Sequence, residues 1–205
     1  MELLQGLSGF KCEDWGIFAV PVDSIYRSVI FQGSSFSKEV FYVAYSSMPL
    51  YLPTDVQYLA LGDRLLNSKG NEGWKLSDPS LVDELWKGIR QQALPFFAES
   101  DTPIKLAEAL VNKPYFSRHR LHIQRNPLMA ERFACSLIKG GNLDEGFEVI
   151  ATLIPALDLA DPIDSEVASR IDKLLMAKRS GEEAVKRLLS DWEQITRRSL
   201  KITEL

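Results

Sequence analysis

Cysteine is scarce in this chain: Cys12 and Cys135 are the only two, and they form no Cys-x-x-Cys pair. That spacing argues against a disulfide framework or a thiolate metal site, so each thiol is expected reduced, in or near a core. Histidine is equally scarce, with only His119 and His122 and no His-Glu-x-x-His pair, too few ligands for zinc. No apolar run approaches the roughly 20 residues needed to span a bilayer. Met1-Glu2 opens without a basic stretch and long apolar core of a signal peptide, so a soluble, cytoplasmic protein with no membrane association is expected. Gly33-Ser34-Ser35 lacks the lysine and following helix of a phosphate loop, and no Gly-x-Ser-x-Gly elbow occurs, so serine there reads as turn chemistry. The carboxylates and lysine of a metal-dependent nuclease are also missing. No catalytic residue, metal ligand or cofactor is assigned.

The remaining composition is that of a folded protein, 45% hydrophobic and 25% charged. Net charge is -4, but unevenly spread: residues 1–112 hold 9 Lys/Arg against 14 Asp/Glu, and 113–205 hold 15 against 14. Neither part has the basic excess of a general nucleic-acid binder.

Residues 25–52 carry the strongest strand signal. Ile25 to Gln32 and Val40 to Tyr45 are rich in β-branched and aromatic residues, and Gly33 to Ser37 separates them, which reads as a hairpin. Both alternating sets of the second run are apolar, as expected of a central strand covered on both faces. A strand from Trp15 to Val20 precedes them. Leu50 to Leu52, bracketed by Pro49 and Pro53, belongs at an edge or outside the sheet. Tyr58 to Leu61 is either strand or helical turn, Asn67 to Gly73 reads as an exposed loop, and Trp74-Lys75-Leu76 as a last short strand. Glu2 to Leu7 is expected to form a short helix.

Asp78-Pro79 reads as a helix start, with Leu81, Leu85 and Ile89 beside Val82, Trp86 and Ala93 as its apolar stripe, ended or kinked by Pro95. Asp101-Thr102-Pro103 repeats the start signal for a helix stopping at Asn112-Lys113-Pro114. Helices then begin at Asn126-Pro127, Asn142-Leu143, Asp161-Pro162 and Ser180-Gly181, with Gly140-Gly141 closing the first. The expectation is an α+β protein. An antiparallel sheet of four to five strands, packed with the helices from Ser80 and Thr102, spans 1–112; a basic segment, 113–125, leads into helical hairpins over 126–205, which share the first core or form their own.

The short helix, Gly9-Phe10, Phe31-Gln32-Gly33-Ser34-Ser35, Phe41-Tyr42-Val43, Leu50-Tyr51-Leu52-Pro53, Trp74-Lys75-Leu76, Ala93 to Phe97 and the Gly140-Gly141-Asn142 turn together resemble the bacterial domain-of-unknown-function family four-three-zero-four. The resemblance implies a sheet with helices followed by a helical tail. It carries no activity and no site residues. The hairpin from Ala130 to Ile154 also looks like one tetratricopeptide unit, but no second copy follows at a fixed period.

The candidate binding residues are Arg118, His119, Arg120, His122 and Arg125, in a stretch with no acid from Lys113 to Arg125. Guanidinium groups pair bidentately with carboxylate or phosphate, so the segment suits an anion or an acidic partner; against this stands a plain linker balancing an acidic first half. Asp158, Asp161 and Asp164 fit a cation only loosely, and helix capping explains Asp161 more simply. Trp15, Trp74, Trp86, Tyr42, Tyr45, Phe96 and Phe97 read as core, or as the lining of an aromatic cleft. The first expectation is a non-catalytic protein that binds another protein, with toxin neutralisation (immunity) as one form. The alternative is an enzyme or small-molecule binder holding an anion between sheet and helices.

Overall fold

The structure, a computed structural model, describes residues 9–13, 16–58, 61–112 and 126–202. The Gly/Ser cluster turns the chain as its composition requires. The strands it joins are β3 (Ile25–Gly33) and β4 (Val40–Pro49), preceded by β1 (Phe10–Glu13) and β2 (Gly16–Ala19) and followed by β5 (Gly62–Arg64) and β6 (Gly73–Lys75). These six form one sheet in the order β1-β2-β3-β4-β5, with β6 also on β4. Long β4 serves two short partners end to end: Val40 to Tyr42 pair with Lys75 to Gly73, and Ala44 to Ser46 with Arg64 to Gly62, antiparallel throughout.

Both faces of β4 are buried along its second half, Val43, Tyr45 and Ser47 on one and Ala44, Ser46 and Met48 on the other. This is the covering that its unbroken apolar run requires. Tyr45 meets the edge of Phe96 with centroids 5.2 Å apart. The Ser100 hydroxyl donates to the Phe96 carbonyl at 2.8 Å, so the 2.6 Å contact between Ser47 and Ser100 has Ser47 as donor. Strand β5, within a stretch whose signal is weak, is only three residues long and begins with glycine. A Cβ on Gly62 would collide with the Tyr45 carbonyl, so only glycine lets the strands meet there.

The helix expected at Asp78-Pro79 starts later, as α1 (Leu81–Gly88) with Ser80 as its cap residue. Asp78 instead accepts hydrogen bonds from the Ser80 N–H at 2.9 Å and hydroxyl at 2.7 Å, a local turn that competes with helix. Pro95 neither ends nor visibly breaks the helical path. A π-helical turn, Ile89–Ala93, leads directly into α2 (Leu94–Ala98), and the Leu94 N–H reaches back five residues to the Ile89 carbonyl. The wider turn accommodates a residue that has no N–H and whose ring would press on the carbonyl four residues back.

Contacts divide the chain into two units. Among the described residues, one unit draws on those up to Met48 and from Tyr58 to Asp101, the other on Pro49–Gln57 and those from Thr102 to Ile202. The boundary thus differs from a division at 112. Helix α3 (Pro103–Asn112), expected against the sheet, belongs to the second unit and packs on α4 (Pro127–Lys139). α4 also packs on α5 (Leu143–Leu153) and α6 (Pro162–Ser180), and α6 on α7 (Glu182–Ser199). Asn126 caps α4 through the Met129 N–H at 3.2 Å, and Asp161 caps α6 through Ile163 and Asp164; Asn142 makes no side-chain cap on α5.

The proline-bracketed segment lies outside the sheet and is core to the helical unit. Leu50 and Tyr51 are fully buried. Ser136 of α4 donates to the Arg132 carbonyl at 2.7 Å, leaving its oxygen to accept from the Tyr51 hydroxyl at 2.7 Å. Thr196 of α7 donates to the Leu52 carbonyl at 2.9 Å. Within α4 the buried Glu131 takes a two-pronged contact from Arg170 of α6, both arms 2.7 Å. Burial pushes the Glu131 carboxyl above its ordinary range, opposed by that guanidinium.

Candidate functional site

Arg118, His119, Arg120, His122 and Arg125 lie outside the described residues. Trp15 and the Glu2 to Leu7 segment also lie outside. The other aromatic candidates form no open cleft: Tyr45, Trp74, Phe96 and Phe97 are buried. Half-buried Tyr42 and Trp86 are covered by the guanidinium groups of Arg64, at 4.5 Å, and Arg90, at 5.3 Å. Trp74 donates its indole N–H to the Leu65 carbonyl at 3.1 Å, the partner a buried tryptophan needs.

The three aspartates are occupied with backbone. Asp158 accepts from the Ala160 N–H, Asp161 from Ile163 and Asp164, and Asp164 from Asp158, all between 2.8 and 3.2 Å. Among the described residues no group of three His, Cys, Asp or Glu side chains is placed to hold a metal ion. Cys135 is buried, Cys12 half-buried, and both are free thiols; burial pushes the Cys135 thiol well above its ordinary range. No described helix is long and apolar enough to cross a membrane.

Two surfaces of the first unit have chemistry to offer. One is the tip of the β3–β4 hairpin, where Phe36 is 97% exposed. Its turn is tied by three hydrogen bonds: Ser34 N–H to the Val40 carbonyl at 3.1 Å, and the Ser34 and Ser37 hydroxyls accepting from the Phe36 and Glu39 N–H groups at 3.2 Å. Leu76, 61% exposed, follows β6 and donates its N–H to the Glu39 carbonyl at 2.9 Å, so it sits at the same end of the sheet. Val82 in α1, six residues on, is also exposed. The sequence marks the turn here but not the exposure of its phenylalanine, since a Phe between two strand runs reads equally well as core.

The other is a cleft of about 270 Å³ between the loop after β5 and the helix, lined by Leu66, Asn67, Ser68, Glu84, Lys87 and Gln91 among others. Asn67 shapes the loop, its side-chain oxygen accepting from Lys69 and Asn71 and its amide donating to the Gly73 carbonyl, each at 3.0 Å. Gln92 clamps the loop to the helix, accepting from the Leu66 N–H at 3.0 Å and donating to its carbonyl at 2.8 Å. Sequence reading treats 67–73 as plain loop. The single asparagine that organises it carries no pattern beyond its residue type.

No protein-family model, curated protein or solved structure matches this chain, so the resemblance to family four-three-zero-four rests on the quoted residues alone.

Proposed function

We propose that this chain is a non-catalytic binding protein that acts through contact with another protein, and that the sheet end carrying Phe36 is part of the contact. The observation that carries the reading is the exposure of Phe36 on a turn already fixed by hydrogen bonds. Scattered exposed apolar residues are ordinary. Here the backbone is ordered before binding and the aromatic ring is presented to solvent, so burying it against a partner recovers about 1.5–3 kcal/mol with little further ordering. Aromatic anchors of this kind dominate protein interfaces. Toxin neutralisation remains one concrete form of such binding, and the basic segment from Arg118 to Arg125 is a second candidate contact for an acidic surface.

The test is a lysate pull-down from the source organism, with captured proteins identified by mass spectrometry, using wild type, Phe36→Ala and a variant with Arg118, Arg120 and Arg125 changed to Glu. A partner held by wild type and lost by Phe36→Ala supports the reading. A partner lost only by the charge variant moves the contact to the basic segment. No specific partner in any sample removes the reading.

A further inference from the structure

We propose that the polar cleft between the β5–β6 loop and α1 binds a free α-amino acid, with its ammonium group on Glu84, its carboxylate on Lys87 and a polar side chain toward Gln91. Glu84 and Lys87 are i and i+3 on α1, one turn apart at a pitch of about 5.4 Å, and Gln91 lines the same cleft from the π-helical turn that follows. An α-amino acid carries its two charges on a single carbon, so two flanking protein groups one turn apart suit it, and Gln91 meets the side chain.

Each wall is fixed by bonds that leave these groups open. The Ser68 hydroxyl donates to Glu84 Oε1 at 2.6 Å, which orients the carboxylate and leaves Oε2 free. Lys87 has no ion-pair partner among the described residues, nor Gln91 a side-chain hydrogen bond. The loop opposite is held by Asn67 and by the Gln92 clamp, so ordering it on binding costs little. A charge of each sign beside a neutral amide complements a zwitterion better than a simple anion, which would face Glu84. About 270 Å³ accommodates one amino acid and leaves no room for a large cofactor.

This inference is independent of the protein-contact reading, which rests on Phe36 at the tip of the β3–β4 hairpin. The test is pooled saturation-transfer NMR on the full chain with the common L-amino acids, followed by calorimetry on those that respond. The expected result is binding of a polar amino acid, weakened at least about tenfold by N-acetylation, by esterification of its carboxylate, and by Lys87→Met or Glu84→Gln. Both variants alter exposed or half-buried side chains, so an unchanged melting temperature separates lost binding from lost fold. Phe36→Ala should bind as wild type does. The proposal is overturned if no pool responds up to about 10 mM, or if binding survives both cleft variants or both blocked ligands.

Discussion

At the scale of single residues, the sharpest energetic statement concerns Glu131 and Arg170. Burial penalises both charges, and the two-pronged contact between them offsets part of the cost for Glu131. Removing only the cation leaves a carboxylate inside α4 without its main partner, so Arg170→Met should cost about 3–5 kcal/mol at neutral pH by urea denaturation. Replacing both members with apolar residues, Glu131→Leu with Arg170→Met, should recover most of that loss. The pH dependence has a definite sign. A carboxyl whose folded pKa is raised holds its proton more tightly in the folded state. Its contribution is therefore full below the unfolded value near 4.5 and is lost as pH rises through the folded value. The stability advantage of wild type over Glu131→Gln should shrink as pH rises above the unfolded value near 4.5, and an advantage that grows would refute the direction. Tyr51 gives a milder case. Tyr51→Phe deletes a buried donor while Ser136 keeps its bond to Arg132, so a loss near 1 kcal/mol is expected.

At the scale of elements, what could be read in the sequence was whatever depends on neighbours in the chain. The hairpin, the caps at Asn126 and Asp161, and the β6 strand at Trp74 follow from turn chemistry and periodicity, which are local. The position of Glu131 is not local: on a helix opening at Pro127 a glutamate reads as solvated, and only the arrival of Arg170 from α6 makes its burial tolerable. The same holds for Leu50 to Leu52, whose prolines exclude them from the sheet but do not say that Tyr51 enters the helical unit. Close helix approach is another non-local fact. A Cβ on Gly146 of α5 would lie 2.8 Å from the Ala134 carbonyl and 2.5 Å from a side-chain carbon of Ile138, both in α4. Backbone cannot yield as a side-chain tip can. Gly146→Ala should therefore destabilise by about 1–3 kcal/mol despite alanine's better helix propensity, read as a fall in melting temperature. A rise would mean that α4 and α5 have slack at their crossing.

At the scale of the whole molecule, charge and exposed apolar surface favour different partners, and this separates the readings. The chain carries -4 overall, and residues 1–112, which include Phe36 and the polar cleft, carry -5. A nucleic acid is repelled by that field except at a local cluster, and the basic run from Lys113 to Arg125 is the one stretch that could offset it. Binding of duplex DNA or RNA would then have to fall steeply with salt, because each phosphate contact releases counterions. The expected outcome is no measurable anisotropy change with a labelled duplex even at low ionic strength. By contrast, a contact built on Phe36, as proposed, would be apolar, and its affinity should change little with salt while depending strongly on the ring. Phe36→Ala should leave the melting temperature unchanged, since a side chain 97% exposed buries almost nothing within the fold. If that variant instead lowers the melting temperature by several degrees, the ring stabilises the fold and its exposure cannot carry the binding reading.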